Sequence, residues 1–161
     1  MGEGTSAGGI LIGRAVTERP GLFAAAIGNV SCSNAPRMET SPNGPVNAPE
    51  FGTVKYSVQG AVLYEMDAFE HVQAGVKYPA VLCVGGMNDS RVIVWQPGKL
   101  AAALQAARTS GQLVLMQVNH NNGHFTEDKN VIFRTFANMY AFAPWQVGHS
   151  NFPPIAAAAV K

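Results

Sequence analysis

Pro79-Ala80-Val81-Leu82-Cys83-Val84-Gly85-Gly86-Met87-Asn88-Asp89 is the stretch on which the fold turns. Five apolar residues in unbroken succession, bounded by Pro79 and a Gly-Gly pair, suit a strand covered on both faces rather than one washed on a side. Outward toward the C-terminus, Pro97 opens a predicted helix through Arg108, with Leu100, Ala103, Leu104 and Ala107 on one side and Gly111 just past its end. Leu113 to Val118 reads as another buried strand. Thr126 caps a last helix, with Glu127 and Asp128 in its first turn. Phe133, Phe136, Met139, Tyr140 and Ala143 give that helix its apolar face, and Pro144 ends it. Toward the N-terminus, Leu22 to Val30 is a third apolar run, and Ala7 to Arg19 has helical spacing and stops at Pro20-Gly21. Tyr56 to His71 includes a helix, and Asn34 to Glu50, with four prolines, is an excursion over the surface. Strands alternating with helices predict an α/β fold with a parallel sheet of three or more strands flanked by helices.

The composition agrees and excludes several function classes. The 161 residues are 47% hydrophobic and 13% charged, which is one domain able to bury a core. A formal net charge of +1 gives no reason to expect a nucleic acid or an anionic membrane as partner. No apolar run is long enough for a membrane span. Met1-Gly2-Glu3-Gly4 has neither the basic nor the apolar stretch of a secretory signal, so a cytoplasmic location is expected. Cys32 and Cys83 lie in apolar surroundings and read as buried free thiols. No cofactor or metal is called for, since His120, His124 and Asp128 lack recognised ligand spacing.

Gly4-Thr5-Ser6-Ala7-Gly8-Gly9 matches the G-x-S-x-G nucleophile elbow. Such a turn needs small neighbours around the serine, and the following helix offers free N–H groups and the positive end of its dipole. The Ala7 N–H is placed to face an oxyanion. A flexible glycine-rich terminus explains the same residues, so the partners decide. Asp89 follows the strand Ala80–Val84, and His124 follows the strand Leu113–Val118. Loops after parallel strands share the carboxyl edge of the sheet, where α/β enzymes build their sites. Ser6, Asp89 and His124 also run in the chain order Ser, Asp, His of the α/β-hydrolases. Asn88-Asp89-Ser90 is equally good turn chemistry, His120 competes as the base, and Asp67 and Asp128 compete as the acid. His71 and His149 read as surface residues.

Taken together, these stretches resemble the C-terminal part of the catalytic domain of the prolyl oligopeptidases, the S9 serine peptidases. The resemblance rests on Gly4-Thr5-Ser6-Ala7-Gly8-Gly9, Arg19-Pro20-Gly21-Leu22-Phe23 and Glu50-Phe51-Gly52. It continues through Tyr78-Pro79-Ala80-Val81-Leu82, Asn88-Asp89-Ser90-Arg91-Val92 and Asn122-Gly123-His124. It implies a truncated α/β-hydrolase fold, with residues 1–150 as a partial catalytic domain and 151–161 as a flexible C-terminal tail. It implies Ser6 as nucleophile, Asp89 as acid, His124 as base, the Ala7 N–H as half of an oxyanion hole, and Arg91 on a substrate carbonyl. The family's β-propeller, its upstream oxyanion tyrosine and the strand leading into the elbow have no counterpart in this reading. Nor does its proline-stacking tryptophan, which would align near Ala61-Val62-Leu63.

With one oxyanion donor identified, activated esters are easier substrates than amides. The expected activity is therefore that of a carboxylesterase on small or aromatic acyl esters. A prolyl oligopeptidase-like peptidase on short peptides and an inactive remnant are the alternatives. An open sheet edge predicts a homo-oligomer.

Overall fold

In the computed structural model the described residues are 1–151; the remainder of the predicted tail, 152–161, lies outside them. Four strands form one sheet, in the order β1 (Gly2–Thr5), β2 (Ala25–Asn29), β3 (Ala80–Gly86) and β4 (Val114–Asn119), and every neighbouring pair is parallel. The helices are α1 (Gly8–Glu18), the single turn α2 (Ala48–Phe51), α3 (Ser57–Glu65), α4 (Trp95–Ala107) and α5 (Lys129–Gln146). The predicted α/β class is therefore what the chain adopts.

Alternation along the strands divides the core into two layers, because successive side chains point to opposite faces of a sheet. Ala26, Val81, Cys83 and Val114 pack on Ile12 and Val16 of α1 and on Leu100 and Leu104 of α4. On the other face, Ala25, Ile27, Ala80, Leu82 and Val84 meet Met139, Phe142 and Ala143 of α5. β3 is buried along its whole length, as its apolar run requires.

Four expectations need correction. The strand leading into the elbow is present: β1 pairs with β2 from Gly2↔Ala26 to Thr5↔Asn29. Its glycines let it lie close against α1, since a Cβ at Gly4 would stand 2.2 Å from the Gly8 carbonyl oxygen. β4 is an edge strand, in which Val114 alone is fully buried. The cap of α5 is Asp128 rather than Thr126; its carboxylate accepts from the Asn130 and Val131 N–H groups, and Thr126 Oγ1 accepts from the Asp128 N–H. Pro144 sits inside α5 without ending it. The proline removes one hydrogen bond to Tyr140, four residues back on the exposed side, where a carbonyl can turn to water.

The excursion after β2 is held down rather than loose. It winds through short 3-10 turns at Ala35–Thr40 and Gly44–Asn47, with Ala35, Met38, Ser41 and Gly44 buried.

Both thiols are free and buried. Burial pushes Cys83 from the ordinary value of 9.0 up to about 12. Burial, and then the nearby Asp89 charge, push Cys32 up to about 11. Between pH 9 and 11 the unfolded chain loses thiol protons that the folded chain keeps, so stability falls as pH rises through that window. Urea unfolding at a series of pH values is expected to show a steeper alkaline decline for the wild type than for Cys83→Ala.

Candidate active site

The elbow is built by β1 running into α1. Ser6 stands between them with φ 57, in the left-handed region that a non-glycine residue adopts only when its surroundings hold it there. Three backbone hydrogen bonds do so. The Ser6 N–H donates to the Asn29 carbonyl at 2.9 Å, and the Ser6 carbonyl accepts from the Gly9 and Cys32 N–H groups, both at 2.9 Å. Gly9 allows the close approach, since a Cβ there would lie 2.3 Å from Ser31 Cβ, whereas one at Gly8 would meet nothing. Ala7 is exposed at the start of α1, and its N–H takes no part in the elbow's backbone hydrogen bonds.

Asp89 hangs from the turn after β3. One carboxylate oxygen, Oδ1, accepts from the Arg91 N–H at 2.8 Å and the Val92 N–H at 2.9 Å, which fixes the side chain. The other, Oδ2, accepts from His124 Nδ1 at 2.7 Å. A carboxylate only accepts, so Nδ1 carries the proton and Nε2 is left as an acceptor. His124 Nε2 lies 2.9 Å from Ser6 Oγ. The Asp89 side chain is fully buried and that of His124 is 6% exposed, so this line of contacts is kept from bulk water at the acid end and opens at the serine. Phe125 stacks edge-on against the imidazole, with ring centroids 4.5 Å apart.

The structure thus brings Ser6, Asp89 and His124 together across 118 residues of chain, with Ala7 beside them. Arg91 lies at the rim; its backbone supports Asp89, while its exposed guanidinium makes no hydrogen bond or ion pair among the described residues. His120 is exposed, and its carbonyl accepts from Asn88 Nδ2, so it plays no part in the cluster. His71, expected at the surface, is half-buried with Nδ1 on the Asp67 carbonyl at 2.8 Å. Among the described residues no group of three or more His, Cys, Asp or Glu side chains is placed to hold a metal ion.

Sequence reasoning missed what supports the elbow from behind. Asp67 is buried, and its carboxylate accepts from the Ala35 N–H, from the Glu70 N–H at 2.7 Å and from Asn34 Nδ2 at 3.2 Å. Burial raises its pKa, and those hydrogen bonds oppose the shift. Gln96 Oε1 accepts from the Ser33 and Asn34 N–H groups, and Lys99 Nζ donates to Asn34 Oδ1. This network fixes residues 33–35, adjoining the Cys32 N–H that holds Ser6. Polar residues met singly along a chain give no signal of such long-range partners.

The arrangement has counterparts among known proteins. A family model described as the prolyl oligopeptidase family matches residues 1–150. A prolyl endopeptidase of Elizabethkingia miricola is 28% identical over 152 residues, covering 92% of this chain and 21% of that protein. Protease 2 of Moraxella lacunata is 28% identical over 144 residues, covering 87% and 21%. Among solved structures, one from a study of two prolyl endopeptidases superposes with a TM-score of 0.87 at 28% identity, covering 92% of this chain and 22% of that one. Oligopeptidase B from Leishmania major superposes with a TM-score of 0.82 at 26% identity, covering 91% and 21%. The chain spans about one fifth of the length of the curated relatives it matches. With a parallel sheet flanked by helices that follows the α/β-hydrolase domain of these peptidases, the chain belongs to the prolyl oligopeptidase family, S9.

Proposed function

We propose that Ser6, His124 and Asp89 are the catalytic triad of a serine peptidase site that cleaves short peptides through an acyl-enzyme. The observation carrying this reading is the unbroken line of contacts, 2.9 Å from Ser6 Oγ to His124 Nε2 and 2.7 Å from Nδ1 to Asp89 Oδ2. Ser6 Oγ attacks the scissile carbonyl carbon as His124 Nε2 takes its proton. The resulting oxyanion accepts from the Ala7 N–H at the positive end of α1. As the tetrahedral intermediate collapses, the C–N bond breaks and His124 returns the proton to the departing amine. Water, deprotonated by the same imidazole, then releases the acid. Asp89 holds the tautomer and stabilises the imidazolium throughout. Arg91, exposed beside the acid, is free to donate to a carbonyl of the bound peptide.

The ester preference expected from the sequence finds no support among the relatives, whose names are those of peptidases. That moves the peptide reading ahead. A fluorophosphonate probe tests the site, because only an activated serine reacts quickly. One adduct is expected, mapping to Ser6 and absent from Ser6→Ala. No adduct, or one elsewhere, would reject the site. A matched ester and peptide amide of the same acyl group then separate peptidase from esterase, since cleavage confined to the ester rejects the peptide reading.

A further inference from the structure

Beside His124, on the α5 face of the sheet, lies a cavity of about 360 Å³, within the ~300–1,000 Å³ usual for small-molecule sites. Val30, Val84, Phe125, Ile132 and Phe136 supply its apolar wall, and no Lys, Arg, Asp or Glu lines it. Its polar residues are partly committed to one another: Asn119 Nδ2 donates to Thr135 Oγ1 at 3.2 Å, and Asn29 Nδ2 to Thr5 Oγ1 at 3.5 Å. Val30 takes its place on the wall at φ 42, a strained conformation for a β-branched residue.

We propose that this cavity is the subsite for the leaving group, the residue on the amine side of the scissile bond, and that it takes a neutral aromatic or large apolar side chain. The inference rests on the triad reading. The histidine that protonates the departing nitrogen must stand within hydrogen-bonding reach of it, so the side chain borne on the carbon next to that nitrogen emerges on the His124 side. The oxyanion lies on the other side, toward Ala7 and α1, and α1 packs on the opposite face of the sheet from α5. His124 and Phe125 are both walls of the cavity, and the Ser6 N–H is bonded to Asn29, a third lining residue. An apolar chamber without fixed charge favours a phenyl or isobutyl group by burial and rejects a carboxylate by desolvation.

The test titrates the whole chain with phenylalaninamide, alaninamide and aspartic acid α-amide, reading the His124 ring signals by NMR, with fluorophosphonate labelling in parallel. Phenylalaninamide is expected to bind at least about tenfold more tightly than the other two. Phe125→Ala and Ile132→Ala are each expected to erase most of that difference, and Phe133→Ala, exposed and outside the lining, to leave it intact. Phe125 is 66% exposed, so its variant reports even if Ile132→Ala fails to fold. Equal affinities for the three amides, or a preference that survives both lining variants, with labelling of Ser6 intact, overturns the subsite and leaves the triad standing. Absence of labelling in the unmutated chain overturns the triad, and with it any leaving-group role for the cavity, whether or not an amide binds.

Discussion

Asp89→Asn is expected to lower turnover by about 10⁴-fold while leaving the fold in place. The asparagine carbonyl can keep both hydrogen bonds that Asp89 Oδ1 accepts, from the Arg91 and Val92 N–H groups. That choice puts the amide NH₂ where Oδ2 now faces His124 Nδ1. The NH₂ only donates, so Nδ1 must become the acceptor and the ring proton moves to Nε2. Nε2 then has nothing with which to take the Ser6 proton. The drop therefore comes from a tautomer and not from lost packing, and it has its own signature. Imidazole ¹⁵N shifts are expected to report the exchange of the protonated nitrogen, with urea unfolding within about 1 kcal/mol of wild type. Fluorophosphonate labelling should slow in parallel with turnover. A variant retaining activity within tenfold of wild type would remove Asp89 from the role of acid.

The meeting of Ser6, Asp89 and His124 was legible because it needs little beyond a parallel sheet. Once Ala80–Val84 and Leu113–Val118 are strands, the loops that follow them share an edge, and Asp89 and His124 lie in those loops. β1 was not legible. Gly2-Glu3-Gly4-Thr5 has no apolar alternation, and what makes it a strand is pairing with Ala26 to Asn29, some two dozen residues away. Periodicity also misjudged α5. Of the face it names, Met139 and Ala143 do contact the sheet, joined by Phe142, which it left out, whereas Phe133, Phe136 and Tyr140 are 67%, 39% and 54% exposed. Counting apolar residues finds a helix but cannot say which of two adjoining stripes the sheet receives. Asp67 was read only as a rival acid and Gln96 not at all, for a different reason: a buried polar residue's supporting role is recognised by its partners, and Asn34 lies 33 residues from one and 62 from the other.

The site's other dependence is on a hydrogen atom where any other residue would place a carbon. Gly86 ends β3, three residues before Asp89, and a Cβ there would stand 2.1 Å from the Gly123 carbonyl oxygen and 2.7 Å from that of Asn122. Both contacts are with backbone of the loop that carries His124, so no side chain can swing aside to relieve them. The same loop is pinned nearby, with the Asn88 N–H donating to the Asn122 carbonyl at 2.9 Å and the Met87 N–H to Asn119 at 3.1 Å. Gly86→Ala must therefore either lift residues 122–124 by about an ångström or break these bonds. Either response carries Nε2 away from Ser6 Oγ, and a misplacement of about 1 Å is enough to cost on the order of 10²-fold in rate. Gly86→Val, with two further carbons to place, is expected to exceed that and to destabilise the chain by about 1–3 kcal/mol through overpacking. Gly8→Ala is the matched control, because a Cβ at that elbow glycine meets nothing within 4 Å. Rates and urea midpoints for the three variants check the ordering. Gly86→Ala at wild-type activity would mean that the histidine loop is not set by its contact with the end of β3. The 2.9 Å approach of Nε2 to the serine would then have to be held by Asp89 and by the Met87 and Asn88 hydrogen bonds to that loop.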